Sequence, residues 1–124
     1  ELVRMKQPLL EVRNNPVCGD YARKAVAKYL GEDALYDVEP WMASETFGLT
    51  LSLFPGVFTF TGIANKEKGC GGNHHTPQFD IDEEGLRAGV VAGVGYTLEM
   101  LDAKPEIDFK QNTEDPVQLG LRGM

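Results

Sequence analysis

The residues of this sequence best able to do chemistry lie in one short stretch. Gly69-Cys70-Gly71-Gly72-Asn73-His74-His75 runs directly into Thr76-Pro77-Gln78-Phe79-Asp80-Ile81-Asp82-Glu83-Glu84, and it holds both histidines and one of the two cysteines of the chain. A neutral imidazole is a good ligand for zinc, manganese, cobalt or nickel, and a histidine on a loop can be aimed into a crevice. Spacing alone leaves two readings open: metal ligation, or histidines that are exposed or hydrogen-bonded without function. Cys70, His74 and His75 would complete three ligands where a structural zinc site wants four, so an independent small zinc protein is the lowest-ranked reading. Glu83-Glu84 reads as structural, because carboxylates at a helix start favour the positive end of the dipole.

The elements that must position this stretch can be read on either side of it. Asn14-Asn15-Pro16 is a helix-start signal, followed by Val17, Tyr21, Ala25 and Leu30 at helical spacing, with Gly31 as a natural stop. Pro40 breaks the chain before a short helix expected over 44–54, with Ser44 as its cap and Pro55-Gly56 ending it. Val57-Phe58-Thr59-Phe60-Thr61 is β-branched and aromatic between glycines, which predicts a central strand. The polar, glycine-rich segment 63–78 then falls just beyond the strand's C-terminal end, where open α/β sheets bind ligands. Asp80-Ile81-Asp82-Glu83 predicts the capped start of a long helix whose face carries Leu86, Val90, Val94, Thr97 and Leu101. Gly85, Gly89 and Gly93, four apart, form a stripe suited to close backbone approach, read here as tight packing on a sheet. Residues 104–124 have two prolines, many charges and no sustained period, so a surface-hugging or mobile tail is expected.

Composition narrows the partners. The chain has 124 residues, a 42% hydrophobic content sufficient for a core, and a net charge of −7 that repels nucleic acid and anionic membranes at long range. No apolar run approaches the roughly 18 residues that cross a bilayer, and a cytoplasmic location is expected. Cys18 and Cys70 are too few for a disulfide scaffold and are expected to be reduced structural thiols. The chain opens on Glu1 and not on methionine, which suggests upstream protein.

Three motifs recur here in a recognisable order. Met42-Ala43-Ser44-Glu45-Thr46-Phe47 is similar to a Met-Gly-Ser-Glu-Asp-Phe segment. Phe54-Pro55-Gly56 with Phe58-Thr59-Phe60-Thr61-Gly62 resembles a Pro-Gly followed by an aromatic strand ending in glycine. His75-Thr76-Pro77-Gln78-Phe79-Asp80-Ile81-Asp82-Glu83 is close to a His-Ser-Pro-x-Phe-x-Ile-x-Glu signature. In this order they resemble the end of the metal-dependent amidohydrolases and metallopeptidases that include aminoacylases, hippurate hydrolases and plant auxin-conjugate hydrolases. The likeness runs over about residues 8–103. Thr46 and Ala43 depart from the family's usual Asp and Gly, and the tail after Leu101 is longer than the family's usual end.

The resemblance implies an α/β fold, part of a three-layer αβα catalytic domain with an incomplete sheet flanked by helices. Residues 1–12 would return from a lid or dimerisation domain, 13–103 would form the C-terminal portion of the catalytic domain, and 104–124 a tail. His75, and not His74, would ligate one of two divalent ions (Zn, Mn, Co or Ni), and Ser44 would lie near the substrate crevice. The catalytic glutamate and the other ligands would come from an N-terminal portion, with no catalytic residue in this chain. The complete enzyme, a homodimer, would hydrolyse N-acyl amino acids or related peptides with metal-activated water, and this chain alone would be inactive. A different class of reading is a binding or assembly module derived from such an enzyme, using its glycine-striped helix or a strand edge to hold a partner.

Overall fold

The computed structural model describes residues 10–43, 45–115 and 118. Within them the chain forms three α-helices, α1 (Pro16–Leu30), α2 (Phe47–Leu53) and α3 (Glu84–Ala103), with a single 3-10 turn at Glu32–Ala34. The proposed returning segment 1–12 lies outside the described residues up to residue 9, and so does most of the tail beyond residue 115. The chain divides into two compact units. One comprises Glu1–Asp20, Asp37–Phe58 and Pro105–Met124, and the other Tyr21–Tyr36 and Thr59–Lys104.

The first helix begins and ends where its sequence signals lie. Asn15 Oδ1 accepts the Cys18 N–H at 3.3 Å, satisfying one of the amides the first turn leaves without a partner. Gly31 follows the last helical residue with φ 97°, a conformation that favours glycine. The buried stripe matches the expected one at Ala25 and departs from it by one residue at the two earlier positions. Cys18, Ala22 and Ala25 are inside, while Leu30 is exposed.

In the first unit, α2 starts at Phe47, later than expected. The Glu45 carboxylate accepts the N–H groups of Thr46 at 2.7 Å and Phe47 at 3.1 Å, satisfying amides at the helix start, while the expected cap Ser44 lies outside the described residues. A side chain at Gly48 would collide with the carbonyl oxygens of Leu10 and Glu11, so glycine lets that segment lie directly on α2. Of the tail, Asn112 donates its N–H to Ser52 O at 2.8 Å and Asp108 O accepts Asn15 Nδ2 at 3.1 Å, so its described part hugs the surface of this unit.

The strand expected at 57–61, and with it the sheet, does not form among the described residues. The Asn14 side-chain amide instead takes the place of a neighbouring strand at one residue. Its Oδ1 accepts the Phe58 N–H at 2.8 Å and its Nδ2 donates to Phe58 O at 3.0 Å. β-branched and aromatic residues suit a pleated surface but do not create one, because a strand is stabilised by its cross-strand neighbours.

In the second unit, α3 packs through its small residues. A Cβ at Gly85 would lie 2.9 Å from Gly62 O, and one at Gly89 would lie 3.4 Å from Thr61 Oγ1, so these glycines admit the extended segment 61–63. The expected close approach is therefore present at Gly85 and Gly89, against an extended chain and not a sheet, whereas a Cβ at Gly93 would meet nothing within 4 Å beyond the helix's own backbone. Gly95 receives the Tyr29 ring, and Glu99, 6% exposed, is the one buried charged residue of the described chain. Glu99 pairs with Lys24 at 3.0 Å and with Lys28, and accepts the Tyr29 hydroxyl at 3.2 Å. Hydrogen bonds from Lys28 and Lys24 hold its carboxyl down at about 2, against the upward push of burial. The face expected to be buried lies outside instead: Leu86, Val90, Val94 and Leu101 are 54–66% exposed.

Candidate functional site

The loop that carries the histidines is held by its two ends. At the first, Asn65 and Cys70 form an isolated antiparallel bridge with N–H to O distances of 2.9 and 2.8 Å. Asn65 Oδ1 also accepts the N–H groups of Glu67 and Lys68, closing the turn between them. At the second end, Asp82 donates its N–H to Ile63 O at 2.8 Å. Its carboxylate accepts Asn65 Nδ2 at 2.6 Å, Lys68 Nζ at 2.7 Å and the Glu84 N–H at 3.3 Å. One side chain thus ties the turn to the start of α3. Lys68 first, and Asn65 second, hold the Asp82 carboxyl down at about 2, while Asp82 pushes the Lys68 ammonium up.

Between these ends the chain is pulled tight. A side chain at Gly72 would collide with the carbonyl of Gln78, so the two flanks of the histidine segment touch backbone to backbone. Thr76 Oγ1 donates to Asn73 O at 2.8 Å, and the Phe79 N–H donates to Thr76 O at 3.1 Å, making a turn around His74 and His75. His75 sits in this turn with φ 61°, a left-handed conformation that costs a non-glycine residue roughly 1 kcal/mol or more. Its side chain is exposed. The His74 side chain is exposed as well, its ring 5.5 Å from that of Phe79 and 6.5 Å from that of His75. It lines a shallow pocket of about 190 Å³ with Ile63, Ala64, Asn73, Phe79 and Asp80.

The three-ligand arrangement of Cys70, His74 and His75 is not assembled. No group of three or more His, Cys, Asp or Glu side chains able to hold a metal occurs among the described residues. Cys70 is buried, with its Sγ 3.8 Å from Lys68 O. Burial pushes its thiol up, and Asp80 and Asp82 push it further, whereas a metal ligand must be a thiolate. The donors present therefore do not fit a complete metal site, and what the loop offers is two exposed imidazoles, those of His74 and His75. Ser44 lies outside the described residues. Cys18 and Cys70 are both free and buried, as expected of structural thiols.

The brace itself was only partly visible in the sequence. Asp82 was readable as a helix-start residue, but its partners Asn65 and Lys68 lie 17 and 14 positions upstream, with no local signal joining them. No helix of the described residues is long and apolar enough to cross a membrane.

Comparison with known proteins bears on what such a loop serves. No protein-family model matches the chain, and no solved structure matches it. Curated sequences do. Over 79 residues, 64% of the chain, it is 32% identical to thermostable carboxypeptidase 2 of Saccharolobus solfataricus, and the match covers 19% of that protein. It is 27% identical over 103 residues to the IAA-amino acid hydrolase ILR1-like 4 of Arabidopsis thaliana, covering 82% of the chain and 23% of the relative. With the Bacillus subtilis protein YhaA, assigned by name to the amidohydrolases, identity is 33% over 92 residues, 73% of the chain and 23% of that protein. The chain thus spans about a fifth of the length of the curated relatives it matches. Through most of its length the chain is thus similar to carboxypeptidases, IAA-amino acid hydrolases and an amidohydrolase, at 27–33% identity, consistent with that hydrolase family.

Proposed function

We propose that this chain is the C-terminal segment of the catalytic domain of a metal-dependent amidohydrolase that cleaves N-acyl amino acids or related peptides. The observation that carries the reading is the likeness to peptidases and amino acid conjugate hydrolases over 61–82% of the chain. Its role in the complete enzyme is to supply one wall of the active-site crevice and one imidazole, that of His75, to a pair of divalent ions. The remaining ligands and the residues that move protons belong to the larger part of such an enzyme.

One backbone feature supports His75 over His74. A non-glycine residue held in a left-handed conformation on an exposed turn is strained, and strain of that kind concentrates where a side chain must be aimed. The loop that carries both histidines is closed by Asp82, whose carboxylate ties Asn65 and Lys68 to the start of α3. A lone imidazole binds metal weakly, because affinities near those of protein sites need several fixed ligands. The isolated chain is accordingly inactive.

A chimera tests this reading. The stretch of thermostable carboxypeptidase 2 that matches this chain is replaced by the corresponding residues, and hydrolysis of a series of N-acyl amino acids and short peptides is measured. Activity is expected in the chimera, with His75→Asn reducing it at least 100-fold and His74→Asn leaving it within a few-fold. Asparagine is used because it tolerates the left-handed conformation. A soluble chimera in which His75→Asn is as active as the parent would overturn the assignment.

A further inference from the structure

We infer that the outer face of α3 is the seam on which the rest of such a hydrolase packs. Leu86, Val90, Val94 and Leu98 recur every four residues and, with Leu101, cover one side of the helix while remaining 51–66% exposed. The opposite side, with Gly85, Gly95 and Glu99, is the side already buried. A surface helix ordinarily turns its large apolar residues inward and its small or charged residues outward. Here the arrangement is reversed: the small residues receive Tyr29 and the 61–63 segment, and the large ones face away from both.

The uncovered stripe amounts to roughly 500 Å² of apolar surface, at the upper end of the largest patch on a typical monomer and of the kind that marks an interaction site. The occupant follows from the proportions of the relatives. The chain matches 19–23% of each, so about four-fifths of a hydrolase of this family lies outside the matched stretch. A second copy is a poorer occupant. Two such stripes would bury about 1,000 Å² in total, the lower limit for a stable interface, and each copy carries a net charge of −7. This seam rests on the reading of the chain as a segment of a hydrolase.

The test is co-expression of the 124-residue chain with thermostable carboxypeptidase 2 lacking the matched stretch, followed by native mass spectrometry of the purified material. A one-to-one complex is expected. The double substitution Val94→Asp and Leu98→Asp should reduce its yield at least tenfold without changing the helix content of the chain, while Lys110→Asp should leave it intact. A complex that forms equally well with the aspartates overturns the seam and leaves the hydrolase reading standing. No complex with the unsubstituted chain overturns both. A homodimer of the chain alone that the aspartates dissolve overturns the seam in favour of a second copy.

Discussion

The contact between Gly95 and Tyr29 allows a paired test with opposite signs on one helix. Replacing a mid-helix glycine by alanine is worth about 1 kcal/mol in propensity where nothing obstructs the new methyl. Gly93 is such a position: beyond the helix's own backbone, nothing lies within 4 Å of where the methyl would stand, so Gly93→Ala should stabilise the chain by about 1 kcal/mol. At Gly95 the methyl would lie 2.6 Å from Tyr29 Cδ2 and 3.1 Å from Cε2, closer than carbon atoms approach. The ring cannot swing away freely, because its hydroxyl is tied to Glu99. Overpacking of this kind costs about 1–3 kcal/mol, which exceeds the propensity gain. Gly95→Ala should therefore destabilise by about 1 kcal/mol net, a difference of about 2 kcal/mol between two substitutions two residues apart. Equilibrium urea unfolding followed by circular dichroism at 222 nm reads both. Equal stabilisation by the two alanines would refute the packing of α1 on α3 through the small residues of α3.

Three further outcomes follow from named contacts. Asp82 and Glu99 titrate at about 2 in the folded chain, held down first by Lys68 and Lys28 respectively, and at about 4 when unfolded. Depressed carboxylates contribute stability that is fully present above about pH 4 and is lost as pH falls toward about 2, so the urea midpoint should drop between about pH 4 and 2. Glu99→Gln should flatten that slope, and a midpoint unchanged from about pH 5 to 2 would contradict the pairing. Asn14→Ala removes both hydrogen bonds to the Phe58 backbone and should cost about 1 kcal/mol, whereas Asn14→Asp, which keeps the acceptor but sets a carboxylate oxygen against the Phe58 carbonyl, should cost no less. Gly72→Ala brings a methyl onto the Gln78 carbonyl and should cost about 3 kcal/mol, seen as faster proteolysis within 66–78.

Local signals were the legible part of this sequence. Asn15 and Pro16 start α1 and Gly31 ends it, because caps act within a few residues of one another. The existence of α3 was equally plain, but the side it buries was not. Periodicity identifies a face of large apolar residues, and which face is covered depends on the elements available to cover it. In this chain those are Tyr29 and residues 61–63, which fit against glycine. The strand at 57–61 failed for the same reason, since β-propensity describes a fit to neighbouring strands that the described residues do not provide. The pairing of Glu99 with Lys24 and Lys28 joins residues more than 70 positions apart and leaves no local trace. His75 was singled out as a candidate by its motif, whereas its left-handed backbone was not foreseen, since no glycine or asparagine stands there to announce it.

If His75 serves a metal centre completed by the rest of a hydrolase chain, the metal held by the carboxypeptidase chimera must depend on that imidazole. Inductively coupled plasma mass spectrometry of the dialysed chimera reads this without reference to any substrate. About two divalent ions per chimera are expected, with bound metal lost in His75→Asn and retained in His74→Asn. Unchanged metal in a folded His75→Asn chimera would remove His75 from the centre.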